Sequence, residues 1–95
     1  MSELKPRPIH PGEILREDFL TEYDLSAGAL AKALHVPRDR IEKLVRETRT
    51  ITADTAARLA KYFGTTPQFW MNLQANYDLA LVDDTELAEV SRRVA

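Results

Sequence analysis

The stretch "LAKALHVPRDRIEKLV", Leu30 to Val45, holds two short helical patterns separated by a brief break. In the first, Leu30, Ala31 and Leu34 recur at i, i+1 and i+4 and so share one face. His35-Val36-Pro37 interrupts it. Pro37 cannot continue the first helix but suits the first turn of the next, where its missing N–H is not needed. In the second pattern Ile41, Leu44 and Val45 form an apolar stripe. Arg38, Asp39, Glu42, Lys43 and Arg46 form a continuous charged arc, with Arg40 at its flank. Taken alone, that arc describes a solvated surface: Arg38–Glu42, Asp39–Lys43 and Glu42–Arg46 are opposite charges at i,i+4, each worth roughly 0.2–0.5 kcal/mol. The neighbouring apolar residues argue for more. Ala31 is small where two short helices must cross, and Leu30, Leu34, Val36, Ile41 and Leu44 can form one shared seam. Such a pair projects the first turns of its second helix outward, as a helix-turn-helix does towards a major groove.

Working outward, helical patterns occupy the rest of the chain. Residues 1–8 are polar, carry Pro6 and Pro8, and read as a flexible arm. Pro11-Gly12 opens a helix over about 12–22, with Leu15, Phe19 and Leu20 inward. Ser26 is a good N-cap for a second helix over 27–34, and a third spans 37–46. Thr52 caps a fourth over 53–63, with Ala56, Leu59, Ala60 and Phe63 inward and Gly64 as its stop. Thr66-Pro67 is a cap and first-position pair for a fifth over 67–81, and Asp83-Asp84-Thr85 starts a last one over 85–93. Val, Ile and Thr never alternate over a strand length. The expected fold class is all-α, five or six short helices in one domain over 1–95.

The chain has 95 residues, enough for one modest core. It has no Cys, which excludes disulfides, thiolate zinc sites and Cys nucleophiles and fits a reducing cytoplasm. "MSELKPRPIH" has no apolar segment of a secretory signal, and no apolar run approaches the ~20 residues of a membrane span. The expected location is therefore cytoplasmic, with no membrane partner. The net charge of −2 argues against a generic nucleic-acid binder. Charge is segregated, however: residues 38–49 hold five basic and three acidic side chains, a local +2 on an acidic body. That pattern suits a DNA contact at one place and a basic protein elsewhere.

"LSAGALAKALHVPRDRI" resembles the lambda-repressor-like (Cro/C1, or XRE) helix-turn-helix. With "IHPGEILREDFL" and "RTITADTAARLAKYFGTTPQFWMNLQANYDLA", the chain resembles the HigA (VapI-type) antitoxins over residues 9–81, and the second half carries the narrower signal. The resemblance implies a lambda-repressor-like five-helix DNA-binding domain with a short extra C-terminal helix, its helix-turn-helix at about 26–46. It implies a homodimer on a palindromic, double-stranded operator, repression of its own operon, and neutralisation of a toxin. That toxin is usually a small basic ribonuclease of the HigB/RelE-like class that cleaves mRNA.

The chain departs from the family pattern at four places. His35 stands where the pattern prefers Gly, which points to a positive φ there. Pro37 replaces the usual Ser or Thr cap. Glu47 replaces the Gly that follows helix three, so that helix is expected to end differently, as much as a turn later. Ala27-Gly28 replace polar residues that often touch phosphate.

By position, Arg38, Asp39 and Lys43 are the base-edge candidates: Arg can hold guanine O6 and N7, and Asp can accept from cytosine N4. Asp39 and Glu42 repel phosphate, so they make sense as discriminators or as holders of Arg and Lys. Arg40, Arg46, Arg49 and Thr48 are phosphate candidates, and Ser26 can offer its hydroxyl or its helix N-terminus. Residues 66–95 are the candidate dimer or partner surface. The acidic Glu13, Glu17, Asp18 and Glu22 form a solvated face that could also meet a basic toxin. Phe69, Trp70 and Tyr77 could stack nucleobases, but beside Leu73 at helical spacing they read as core or dimer seam. His10 and His35 are isolated and read as loop or turn residues, with no metal site. With Ser only at 2, 26 and 91 and no glycine-rich phosphate loop, no catalytic trio can be assembled, so no enzyme activity and no cofactor are expected. Two other readings stay open: a stand-alone XRE-family regulator without a toxin, and a protein-interaction module whose helix-three charges pair among themselves.

Overall fold

A computed structural model describes residues 7–94. Of the arm expected over 1–8, residues 1–6 lie outside it; Arg7 makes a two-pronged ion pair with Glu13, at 2.8 and 3.0 Å. The described residues are all helical or irregular, without strands, as expected.

Helix α1 (Pro11–Ile14) begins at His10, whose Nδ1 accepts from the Gly12 N–H at 2.9 Å, with Pro11 in the first turn. It runs on as a π-helical segment, Leu15–Leu20, where the Thr21 N–H reaches the Arg16 carbonyl at 3.1 Å. The i→i+5 ladder is a departure from the regular helix expected. Its wider turn brings Leu15 and Leu20, five apart, onto one inward face, and both are buried.

Ser26 caps α2 (Ala27–Leu34) by accepting from the Ala29 N–H at 3.0 Å. His35 then takes the left-handed conformation at φ 59°, so the glycine-like position is met by a residue with a Cβ. In α3 (Arg38–Val45), Pro37 stands one place earlier than expected: it is the N-cap, extended at ψ 141° and with no side-chain cap. The later end expected for this helix is not found. It stops at Val45 because Glu47, like the Gly it replaces, adopts a left-handed φ of 67°, and the N–H groups of Glu47 and Thr48 bond back to Leu44 and Lys43.

Thr52 and Thr66 cap α4 (Ala53–Phe63) and α5 (Pro67–Ala80) as expected. The last helix is much shorter than expected: α6 (Asp84–Leu87) is a single turn. Leu87, Val90 and Val94 are all exposed, and a short helix with no buried face lacks the packing that would extend it.

The core gathers Leu15, Leu30, Leu34, Ile41, Leu44, Ile51, Leu59 and Trp70, with Ala31, Ala56 and Ala60 at the helix crossings. Its polar members are satisfied. Trp70 Nε1 donates to Thr65 at 2.8 Å, and buried Gln74 accepts from the Ile51 N–H at 2.7 Å. Of the three aromatic residues of α5, Trp70 is fully buried, Tyr77 lies edge-on to His10 with centroids 4.8 Å apart, and Phe69 is exposed beside Trp70.

At Gly12 two helices meet with no room for a side chain. A Cβ built there would lie 1.8 Å from the Leu44 carbonyl oxygen, so α1 rests directly on the backbone of α3. Gly12→Ala must push the two helices apart. A loss of about 1–3 kcal/mol is expected in urea melts, and an unchanged midpoint would mean that α1 does not seat against α3.

Candidate nucleic-acid interface

Helix α3 is anchored from below. Ile41 and Leu44 are buried against the α2 seam, with Val45 half-buried beside them. Ala31, at the α2–α3 crossing, has no exposed surface. The charged arc faces away from the body: the side chains of Arg38, Asp39 and Lys43 are 74%, 62% and 48% exposed.

On that arc, two of the three spaced pairs form. Arg38 Nε bonds Glu42 at 2.6 Å, and Lys43 Nζ meets Asp39 at 3.1 Å. With Glu42 held by Arg38, Arg46 has no ion pair among the described residues, and neither does Arg49. Both are exposed cations at the end of the helix and in the following loop. Thr48 Oγ1 donates to the Lys43 carbonyl at 3.1 Å, which fixes it at the helix terminus. Ser26 sits at the start of α2, where its hydroxyl oxygen accepts the capping N–H of Ala29 and its O–H stays able to donate.

Arg40 differs from its neighbours. It turns from the arc towards α4, where it meets Asp54 at 2.7 Å. Asp54 also holds Arg58 at 3.0 Å, and Arg58 donates to the Leu34 carbonyl at 2.9 Å, at the end of α2. The Arg40 and Arg58 guanidinium groups hold the Asp54 carboxyl below its usual range. Arg40 is thus a strut between α3 and α4.

A second arginine grips the other end of α3. Arg16, in the π-helical segment, donates to the Val45 carbonyl and pairs with Glu47 at 3.2 Å. A cation at the last carbonyls of a helix favours its dipole and satisfies orphan acceptors. Sequence reasoning missed Arg16, Asp54 and Arg58 because the contacts that join them to α2, α3 and the turn after α3 span 14 to 31 residues. Gly28 was read as a lost phosphate contact. The structure gives it a second role: a Cβ there would lie 3.3 Å from Arg38 Nε, so Arg38 crosses bare backbone at the start of α2. A glycine inside a helical pattern was the available signal.

Fold and interface together define a helix-turn-helix domain of the lambda-repressor-like kind. A helix-turn-helix family model matches residues 15–70. Virulence-associated protein I of Dichelobacter nodosus is 60% identical over 75 residues, covering 79% of this chain and 69% of the relative. Antitoxin HigA-1 of Vibrio cholerae is 38% identical, over 83% of this chain and 74% of its own. The Pseudomonas aeruginosa antitoxin HigA, solved with the higBA promoter, superposes with a TM-score of 0.88 at 49% identity, over 93% of this chain and all of that one. The chain belongs to the helix-turn-helix family, in its HigA–VapI branch.

The loop that carries Arg49 rests on His10. Burial pushes the His10 imidazole below its ordinary 6.5, while Glu47, the Arg49 backbone carbonyl and Asp78 pull it up and Arg16 adds to the lowering. The folded protein therefore prefers the neutral ring, and below pH 6.5 the unfolded chain binds more protons. The stability due to neutral His10 is complete above that pH. It falls as the pH drops below it and levels off under the folded value. Urea melts on either side of pH 6.5 should show this loss, and His10→Asn, which keeps a capping side chain, should flatten it. Identical pH slopes for the two proteins would contradict the assignment.

Proposed function

We propose that this chain is a HigA-type antitoxin. It acts as a homodimer that represses its own operon through α3 and neutralises a small basic HigB/RelE-like mRNA-cleaving toxin. The observation that carries the DNA-binding arm is the charged tip of α3, exposed and yet braced at both ends by Arg40 and Arg16. A solved relative at 49% identity has its promoter bound.

In this reading α3 enters the major groove of the operator. Arg38 holds guanine, Asp39 accepts from cytosine N4, and Lys43 reaches a base edge or a nearby phosphate. Arg46, Arg49 and Thr48 grip one backbone, and the N-terminus of α2 at Ser26 meets the other. Arg40 sets the angle of α3, and its phosphate role is secondary to Asp54. A dimer places two such helices one turn of duplex apart.

The dimer seam is assigned to α5 and the tail. Leu79, Leu81, Val82, Leu87 and Val90 are all exposed there. Leu79 also lines a groove of about 540 Å³ with Ile9, Ile14, Leu73 and Tyr77. Exposed apolar side chains beside an apolar groove favour an interaction surface. For the toxin, α1 is favoured. Glu13 and Glu17 are engaged by Arg7 and Arg16, but Asp18 and Glu22 have no ion pair among the described residues and leave negative charge for a basic partner.

The test is co-expression with the adjacent reading frame, followed by purification and a gel shift on the chain's own promoter. A co-purifying small basic protein and a shifted operator are expected. A shift without such a protein would leave a stand-alone regulator, and no shift at low salt would end the DNA-binding reading. Residue roles separate by sequence dependence. Arg38→Ala should relax preference at one base pair, a discrimination of roughly 1–3 kcal/mol. Arg49→Ala should weaken all duplexes alike and reduce the salt slope by about one ion. Equal behaviour of both variants on operator and scrambled DNA would overturn the assignments.

A further inference from the structure

Arg38 occupies an unusual setting for a cation. Its side chain crosses the N-terminal turn of α2 at Gly28, with Nε, Cζ and Cδ only 3.3–3.5 Å from where a Cβ would stand. The N-terminus of a helix carries partial positive charge. A guanidinium beside it makes a place that favours an anion, and on a DNA-facing surface the available anion is phosphate. In this protein the position beside Arg38 is already taken. The Glu42 carboxylate, one turn along α3, bonds Arg38 Nε at 2.6 Å.

We propose that Glu42 and Gly28 together are specificity-determining positioning residues for operator recognition. Glu42 stands in for phosphate beside Arg38, and the bare backbone at Gly28 lets Arg38 lie close against the start of α2. Arg38 is thereby denied to the sequence-independent backbone and kept aligned for a base edge. A non-specific duplex must break the Arg38–Glu42 pair or bring phosphate next to Glu42, and either is a cost. The operator offsets that cost because the guanine edge is engaged by guanidinium N–H groups that Glu42 does not occupy. The pair therefore lowers affinity for wrong DNA more than for right DNA, which is what discrimination requires.

This inference rests on the reading that α3 contacts operator DNA, and the experiment separates the two. Wild type, Glu42→Gln and Gly28→Ala are titrated against the operator, a duplex changed at the Arg38-contacted base pair, and a scrambled duplex, over a range of salt. Thermal melts accompany each variant. Both positions are half-buried and outside the core, and the melts are expected to stay close to wild type. Glu42→Gln is expected to raise affinity for scrambled DNA several-fold and for the operator less, so the specificity ratio falls. Its salt slope on scrambled DNA should steepen by about one ion as Arg38 takes a phosphate. Gly28→Ala crowds Arg38 by a few tenths of an ångström and should weaken preference at that one base pair while leaving preference elsewhere. Equal gains on operator and scrambled DNA for Glu42→Gln would make Glu42 a general repulsive charge and overturn the proposal. So would unchanged base preference in Gly28→Ala. If wild type itself shows no operator preference, the DNA-binding reading fails first and the inference fails with it.

Discussion

The fold turns on a contact with no room for a side chain, Gly12 against the carbonyl of Leu44. It sets α1 on the back of α3 at the end that carries Val45 and Glu47. From there Arg16 can cap the Val45 carbonyl and Glu47 can pair with it. At the other end, Arg40, Asp54 and Arg58 tie α3 to α4 and to the last turn of α2. Buried Ile41 and Leu44 supply the adhesion between, since apolar burial is strong and has no direction of its own. The direction comes from the polar struts. Together they leave α3 one orientation, with its charged tip outward.

That orientation explains how an acidic chain can offer a DNA-facing surface. Around α3 most carboxylates have a cation within ion-pair distance: Asp39 with Lys43, Glu42 with Arg38, Glu47 with Arg16, Asp54 with Arg40 and Arg58. Among the described residues, the cations of α3 and its following loop without an ion pair are Arg46 and Arg49. Little unspecific attraction remains, so discrimination falls to the geometry of the tip.

Local features were legible in the sequence. Ser26, Thr52, Thr66 and Gly64 mark helix ends by short-range hydrogen bonding or backbone conformation, and each stands at the end it predicts. The α2–α3 seam was legible because its period is that of a helix. Three things were not. The π-helical segment at Leu15–Leu20 answers to packing that no local pattern announces. Glu47 keeps the family's turn without the family's glycine, held by an arginine far away in the chain. The tail reads as a helix by composition, yet Leu87, Val90 and Val94 find nothing to pack on and the helix stops after one turn. At the interface, residue types and arc were readable, but the turning of Arg40 to Asp54 was not, because it depends on where α4 lies.

The most direct test of the outward, braced α3 is an amide-resolved titration of the chain with its own promoter duplex. The account predicts shifts and hydrogen-exchange protection concentrated at Ser26 to Gly28 and from Arg38 to Arg49. The buried stripe of Ile41 and Leu44 should stay as protected as in the free protein. Changes confined to α5 and the tail, or exposure of that stripe on binding, would contradict it.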